Sequence, residues 1–213
     1  MDVYTSAECI GKNQEFVRDG FEWDTWEKNM FRLHDSENIR SVHIMMTISA
    51  LSIWSIAEFM NKIIDWRKNF LNQEEFFMSV NILRFPSFQS INIISQEVKN
   101  QLADEIEEAL DRNKEYMIGW EENQFQRVIE YLRKVDTSYE DTDTFENKHH
   151  DFKTFVEQYA IRREMPIEEY MPKEFTSWFK TLKTIEKVEN KLLKIYFRKY
   201  LVCDNQLYIF VAL

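Results

Sequence analysis

Apolar positions repeat along this chain with two different periods, and the changes between them mark its elements. Val3 to Arg18, VYTSAECIGKNQEFVR, opens with a short β-prone run, breaks into a polar turn and continues as an amphipathic helix. Gly11 to Leu33 reads as helix, with Ile10, Phe16, Val17, Phe21, Trp26, Met30 and Leu33 as a broken stripe that Asp19-Gly20 interrupts. Arg40 to Ile48, RSVHIMMTI, is a mostly apolar run of strand length, which predicts a strand buried on both faces of a parallel sheet. Leu51 to Phe70 carries Ile53, Ile56, Ala57, Phe59, Met60, Ile63, Ile64 and Trp66, an amphipathic helix. Phe77 to Phe85 and Gln89 to Ile94 are β-prone runs parted by Pro86, which cannot donate to a ladder.

Beyond Ser95 the strand pattern stops. Glu97 to Arg112, Gln124 to Arg133, Phe152 to Tyr159 and Phe175 to Leu182 read as helices, with Ser95 starting the first of them. Thr137 to Asn147, TSYEDTDTFEN, is polar and acidic, as a linker or mobile loop would be. Lys191 to Leu213 is aromatic, β-branched and locally basic, and its charges at Lys194, Arg198, Lys199 and Asp204 interrupt it too often for a transmembrane helix. The expected organisation is a β/α part over residues 1–95, a helical extension over 96–182 and a tail over 183–213 to which no structure is assigned.

Composition sharpens this picture. A chain of 213 residues with 17 Phe, 9 Tyr and 6 Trp but only 3 Gly and 3 Pro has ample material for a core and little for long loops. The formal net charge of −10 argues against nucleic acid and anionic membrane as partners, since a phosphate-binding surface needs a basic footprint. Cys9 and Cys203 lie too far apart for a disulfide framework or a zinc spacing, and Met1-Asp2-Val3 lacks the basic start and apolar run of a signal peptide. Together these predict a cytoplasmic protein.

Candidate chemistry gathers at strand ends. Ser6 closes the first predicted strand, and Arg18 follows about three helical turns later, where its guanidinium could meet a carboxylate or ribose oxygens. The alternative is that Ser6 caps the helix and Arg18 is a solvated charge. His149-His150 reads as a solvated pair, Glu121-Glu122 and Glu74-Glu75 as solubilising charge, and His43 as a satisfied core histidine that lies near the ligand face. No Gly-rich phosphate loop or nucleophile elbow is present.

VYTSAECIGKNQEFVRDG, followed by TISALSI, LRFPSFQSINII and FKTFVEQYAIRRE, resembles the carboxyl-terminal half of twitch-domain-containing radical S-adenosylmethionine proteins, over roughly Val3 to Phe179. That resemblance implies the last three β/α units of a partial (β/α)6 TIM-like barrel followed by a helical extension. It also implies cofactor contacts at Ser6, Glu8 and Arg18, at Thr47 and Ser49 after the second strand, and at Leu83 and Arg84 after the third. Intact family members bind S-adenosylmethionine and a 4Fe-4S cluster held by CxxxCxxC, and they act on peptides or small substrates by radical hydrogen abstraction. This sequence has no CxxxCxxC, so the resemblance implies no cluster on this chain alone and a missing amino-terminal barrel half as partner. A non-catalytic module that binds a peptide or another partner is the second expectation.

Overall fold

The computed structural model describes residues 1–69, 76–135 and 142–182, and the expectations for Glu74-Glu75 and for the tail over 183–213 lie outside them. Three strands, β1 (Asp2–Ser6), β2 (Ser41–Ile48) and β3 (Phe76–Ile82), form one parallel sheet in the order β1-β2-β3. Two helices, α1 (Gly11–Val17) and α2 (Trp23–His34), connect β1 to β2, and α3 (Ile56–Asn69) follows a 3-10 turn at Ile53–Ser55 on the way to β3. The break between α1 and α2 falls at Asp19-Gly20, where Gly20 takes a positive φ of 71° that a side chain would disfavour.

Strand β2 corrects the expectation of burial on both faces. Val42, Ile44, Met46 and Ile48 are buried under the helices, whereas His43 and Met45 are half-buried and Thr47 is exposed. The same alternation runs through β3, where Phe76, Met78 and Val80 are buried and Asn81 is exposed. One face of the sheet is therefore covered and the other is open. Sequential parallel strands with all crossovers on one face are wound in a single direction, as in a barrel, with no reversal of strand order of the doubly wound kind.

The remaining described residues are mainly helical: α4 (Gln96–Asn113), α5 (Gly119–Arg133), α6 (Thr142–Arg163), α7 (Ile167–Tyr170) and α8 (Lys173–Thr181). Two expectations change here. Gln89–Ile94 forms 3-10 turns, at Ser87–Gln89 and Ile91–Ile93, and not a strand. Ile91, Ile93 and Ile94 are buried, and a short apolar run plugging a core from a loop has the same pattern as a buried strand. Residues 142–147, expected in a linker, are the first turns of α6, whose later residues Phe152, Val156 and Ala160 join the core. Phe152 packs against Phe175, Trp178 and Phe179 of α8, which gives an acidic segment a reason to be helical that its own pattern lacks.

Side chains from α3 and α5 close the outer edge of β3. Arg67 and Glu121, both without exposed side-chain surface, pair through Nη2 to Oε1 at 2.5 Å and Nη1 to Oε2 at 2.8 Å. Arg67 Nε donates to the Phe76 carbonyl at 3.0 Å, the Met78 amide donates to Glu121 Oε1 at 2.6 Å, and the Val80 amide donates to Gln124 Oε1. Glu121 is thus not solubilising charge: α5 lies on the core, and its first turn delivers a carboxylate to the sheet edge. Glu122, one residue on, keeps a surface place beside Lys114 at 3.5 Å.

Candidate functional site at the carboxyl ends of the strands

In a parallel sheet every carboxyl strand end points the same way, and here that end gathers the candidate residues. The register pairs Ser6 with Met45 and Thr47 with Asn81, while the Leu83 amide donates to the Ile48 carbonyl at 2.8 Å and extends the ladder past β3. Ser6 and Thr47 stand on the open face, Ser6 half-buried and Thr47 exposed. Arg84 is exposed just beyond β3, followed by Phe85, 86 % exposed.

Ser6 does not cap α1, whose cap position is Ile10 without a side-chain bond, so the capping alternative fails. Arg18 is not a free surface charge either. Its Nη2 lies 2.6 Å from Glu8 Oε1, with Glu8 only 5 % exposed and Arg18 41 %. Gln14 organises the turn between them: its Oε1 accepts from the amides of Glu8 and Cys9 at 2.8 and 3.0 Å, and its Nε2 donates to Glu8 Oε2 at 3.0 Å. The structure thus brings Glu8 and Arg18 together beyond the end of β1, and it uses Glu8 to anchor Arg18. Ser49 is buried and likewise engaged, its Oγ accepting from the Leu51 amide at 3.2 Å and lying 3.4 Å from Ser52 Oγ.

Cys9 is fully buried with its thiol donating to Gln14 Oε1 at 3.4 Å, and burial pushes its pKa well above the usual thiol value. Among the described residues no three His, Cys, Asp or Glu side chains are grouped to hold a metal ion.

The open face carries more than the resemblance implies. Toward the amino ends of the strands Tyr4, His43 and Phe77 stack across all three strands, with centroids 4.7 and 4.8 Å apart, and Trp120 of α5 lies 6.0 Å beyond Phe77. Below the stack Ser41 Oγ donates to Asp2 Oδ1 at 2.7 Å and lies 3.1 Å from His43 Nε2. The sequence signal for this row is its period of two, with Ser41, His43 and Thr47 alternating with the aliphatic residues of β2. His149-His150 is not a solvated pair: His149 is half-buried, donates from Nε2 to the Ile93 carbonyl at 2.6 Å, and packs on Phe145. Among the described residues no helix is long and apolar enough to cross a membrane.

Fold and site define a mixed α/β protein with a singly wound three-stranded parallel sheet and a helical extension. No protein-family model, curated protein or solved structure matches the chain.

Proposed function

We propose that this chain is the carboxyl-terminal half of a radical S-adenosylmethionine barrel, supplying part of the wall that binds S-adenosylmethionine and a peptide or small substrate. The iron-sulfur cluster belongs, on this reading, to an amino-terminal half that carries CxxxCxxC. The observation that carries the proposal is the singly wound sheet with one face open and hydrogen-bonding residues gathered at its carboxyl end. Ser6, Thr47, Arg84 and the solvent-facing part of Arg18 have polar groups to offer, whereas Glu8 and Ser49 act behind them by positioning Arg18 and the turn after β2. Bound S-adenosylmethionine supplies the radical chemistry; the residues of this chain bind and orient.

Arg18 is a poor test residue because its removal leaves the buried Glu8 carboxylate unpaired. Arg84 and Ser6 are better. With the chain paired to an amino-terminal half bearing CxxxCxxC, calorimetry should show Arg84→Ala weakening S-adenosylmethionine binding roughly tenfold to a hundredfold, since a hydrogen bond to a charged group contributes about 1.5–3 kcal/mol. Ser6→Ala should cost about 1 kcal/mol, or roughly fivefold. Unchanged affinity in both variants removes the strand ends from the cofactor site. The second reading, a non-catalytic peptide-binding module, is favoured by the internal engagement of Glu8 and Ser49, and peptide binding to this chain without S-adenosylmethionine would select it.

A further inference from the structure

His43 stands on the middle strand of the open face with one ring nitrogen committed and the other without a partner among the described residues. Arg40 and Ser41 hydrogen-bond the Asp2 carboxyl and hold its pKa down at about 2, so the group is ionised at neutral pH. An ionised carboxylate only accepts, so the single proton of Ser41 Oγ goes to Asp2 Oδ1. Ser41 then meets His43 Nε2 with a lone pair, and Nε2 must carry the ring proton. In the neutral imidazole that leaves Nδ1 as the unprotonated nitrogen. It has no protein partner among the described residues and is not sealed from solvent. Stacking on Tyr4 at an interplanar angle of 17° and on Phe77 at 27° fixes the ring.

We infer that His43 is the acceptor group of the open face, held by Asp2 and Ser41 as the Nε2–H imidazole so that Nδ1 receives an N–H or O–H of a ligand lying on that face. The ligand class follows from the lone pair. An amide, amine or hydroxyl is favoured there, and a carboxylate or phosphate oxygen is repelled. The row toward the carboxyl ends, Ser6, Met45 and Ser79, is uncharged and suits the same class. The inference rests on the proposed function only in taking the open face as the ligand side.

Nitrogen-15 NMR of the full chain at alkaline pH, where histidine side chains are neutral, tests it, with His43 assigned by loss of its signals in His43→Gln. His43 is expected as the pure Nε2–H form, and Ser41→Ala should return it to the tautomer mixture of free imidazole. Diethyl pyrocarbonate, which reacts with an unprotonated ring nitrogen, should modify His43 at Nδ1 in the parent chain. A His43 found as Nδ1–H or as a mixture in the parent, or one that resists the reagent, overturns the inference. Neither measurement uses S-adenosylmethionine, so failure of the cofactor proposal leaves this result standing, and the reverse also holds.

Discussion

Glu121 and Glu122 are adjacent and chemically identical, yet one is an internal ion-pair partner and the other a surface charge. The difference lies in where α5 packs, a long-range fact that two neighbouring letters do not carry. Burying an ion pair costs desolvation that its attraction only partly offsets, so the pair need not raise stability over an apolar substitute. Breaking it is another matter. Arg67→Met leaves the Glu121 carboxylate without its cation in a fully buried place and should destabilise the fold by about 3–5 kcal/mol, measured by urea unfolding. Glu122→Gln should change it by less than about 0.5 kcal/mol. Equal effects would mean that Glu121 is solvated after all. The Glu8–Arg18 pair was not legible, because the residues alone offered Arg18 only to the oxygens of a ligand and Glu8 entered only through the resemblance. Gln14, which ties that turn together, gave no signal beyond being a polar residue on a helix.

At the scale of elements, the local period was enough wherever a segment packs through one face. It was enough for α3, α4, α5 and α8 and for the existence of all three strands. It failed for Gln89–Ile94, buried without a ladder, and for the start of α6, where contacts with α8 outweigh a weak local pattern. It also hid the open face of β2, because the half-buried Met45 among Val42, Ile44, Met46 and Ile48 masks the period of two. The edge of β3 is a further instance. Sheet edges are dangerous because unpaired backbone groups accept foreign strands, and α5 closes this one with side chains in place of a strand. Gln124→Leu should remove the acceptor of the Val80 amide and cost about 1 kcal/mol. Hydrogen exchange should show the Val80 amide exchanging faster while Met78, held by Glu121, keeps its protection. Unchanged exchange at Val80 would show that the Gln124 contact does not guard the edge.

For the molecule as a whole, the two sheet edges differ in kind. Strand β3 is closed by Arg67, Glu121 and Gln124, whereas among the described residues no strand pairs with the outer edge of β1. Tyr4, 66 % exposed, sits in the middle of that strand and begins the stacked row across the open face. An edge with neither proline nor lysine, carrying the exposed Tyr4 at the end of an aromatic row, is a surface on which another strand can settle. Opposing this is the net charge of −10, which makes copies repel at low ionic strength. Salt screens that repulsion over about 10 Å at 0.1 M, and it scarcely weakens backbone pairing or apolar contact. The chain should therefore self-associate more strongly as salt rises in sedimentation experiments, and it should bind a hydrophobic dye. Tyr4→Lys should suppress both, since it places a cation on the edge strand and shortens the aromatic row. It leaves the covered face untouched, so the melting temperature should fall little. A chain that stays monomeric at high concentration and high salt, without dye binding, would show that the open face and the β1 edge are not a joining surface. The barrel-half proposal would then lose its structural footing, because a sheet built to be completed by other strands must have an edge that accepts them.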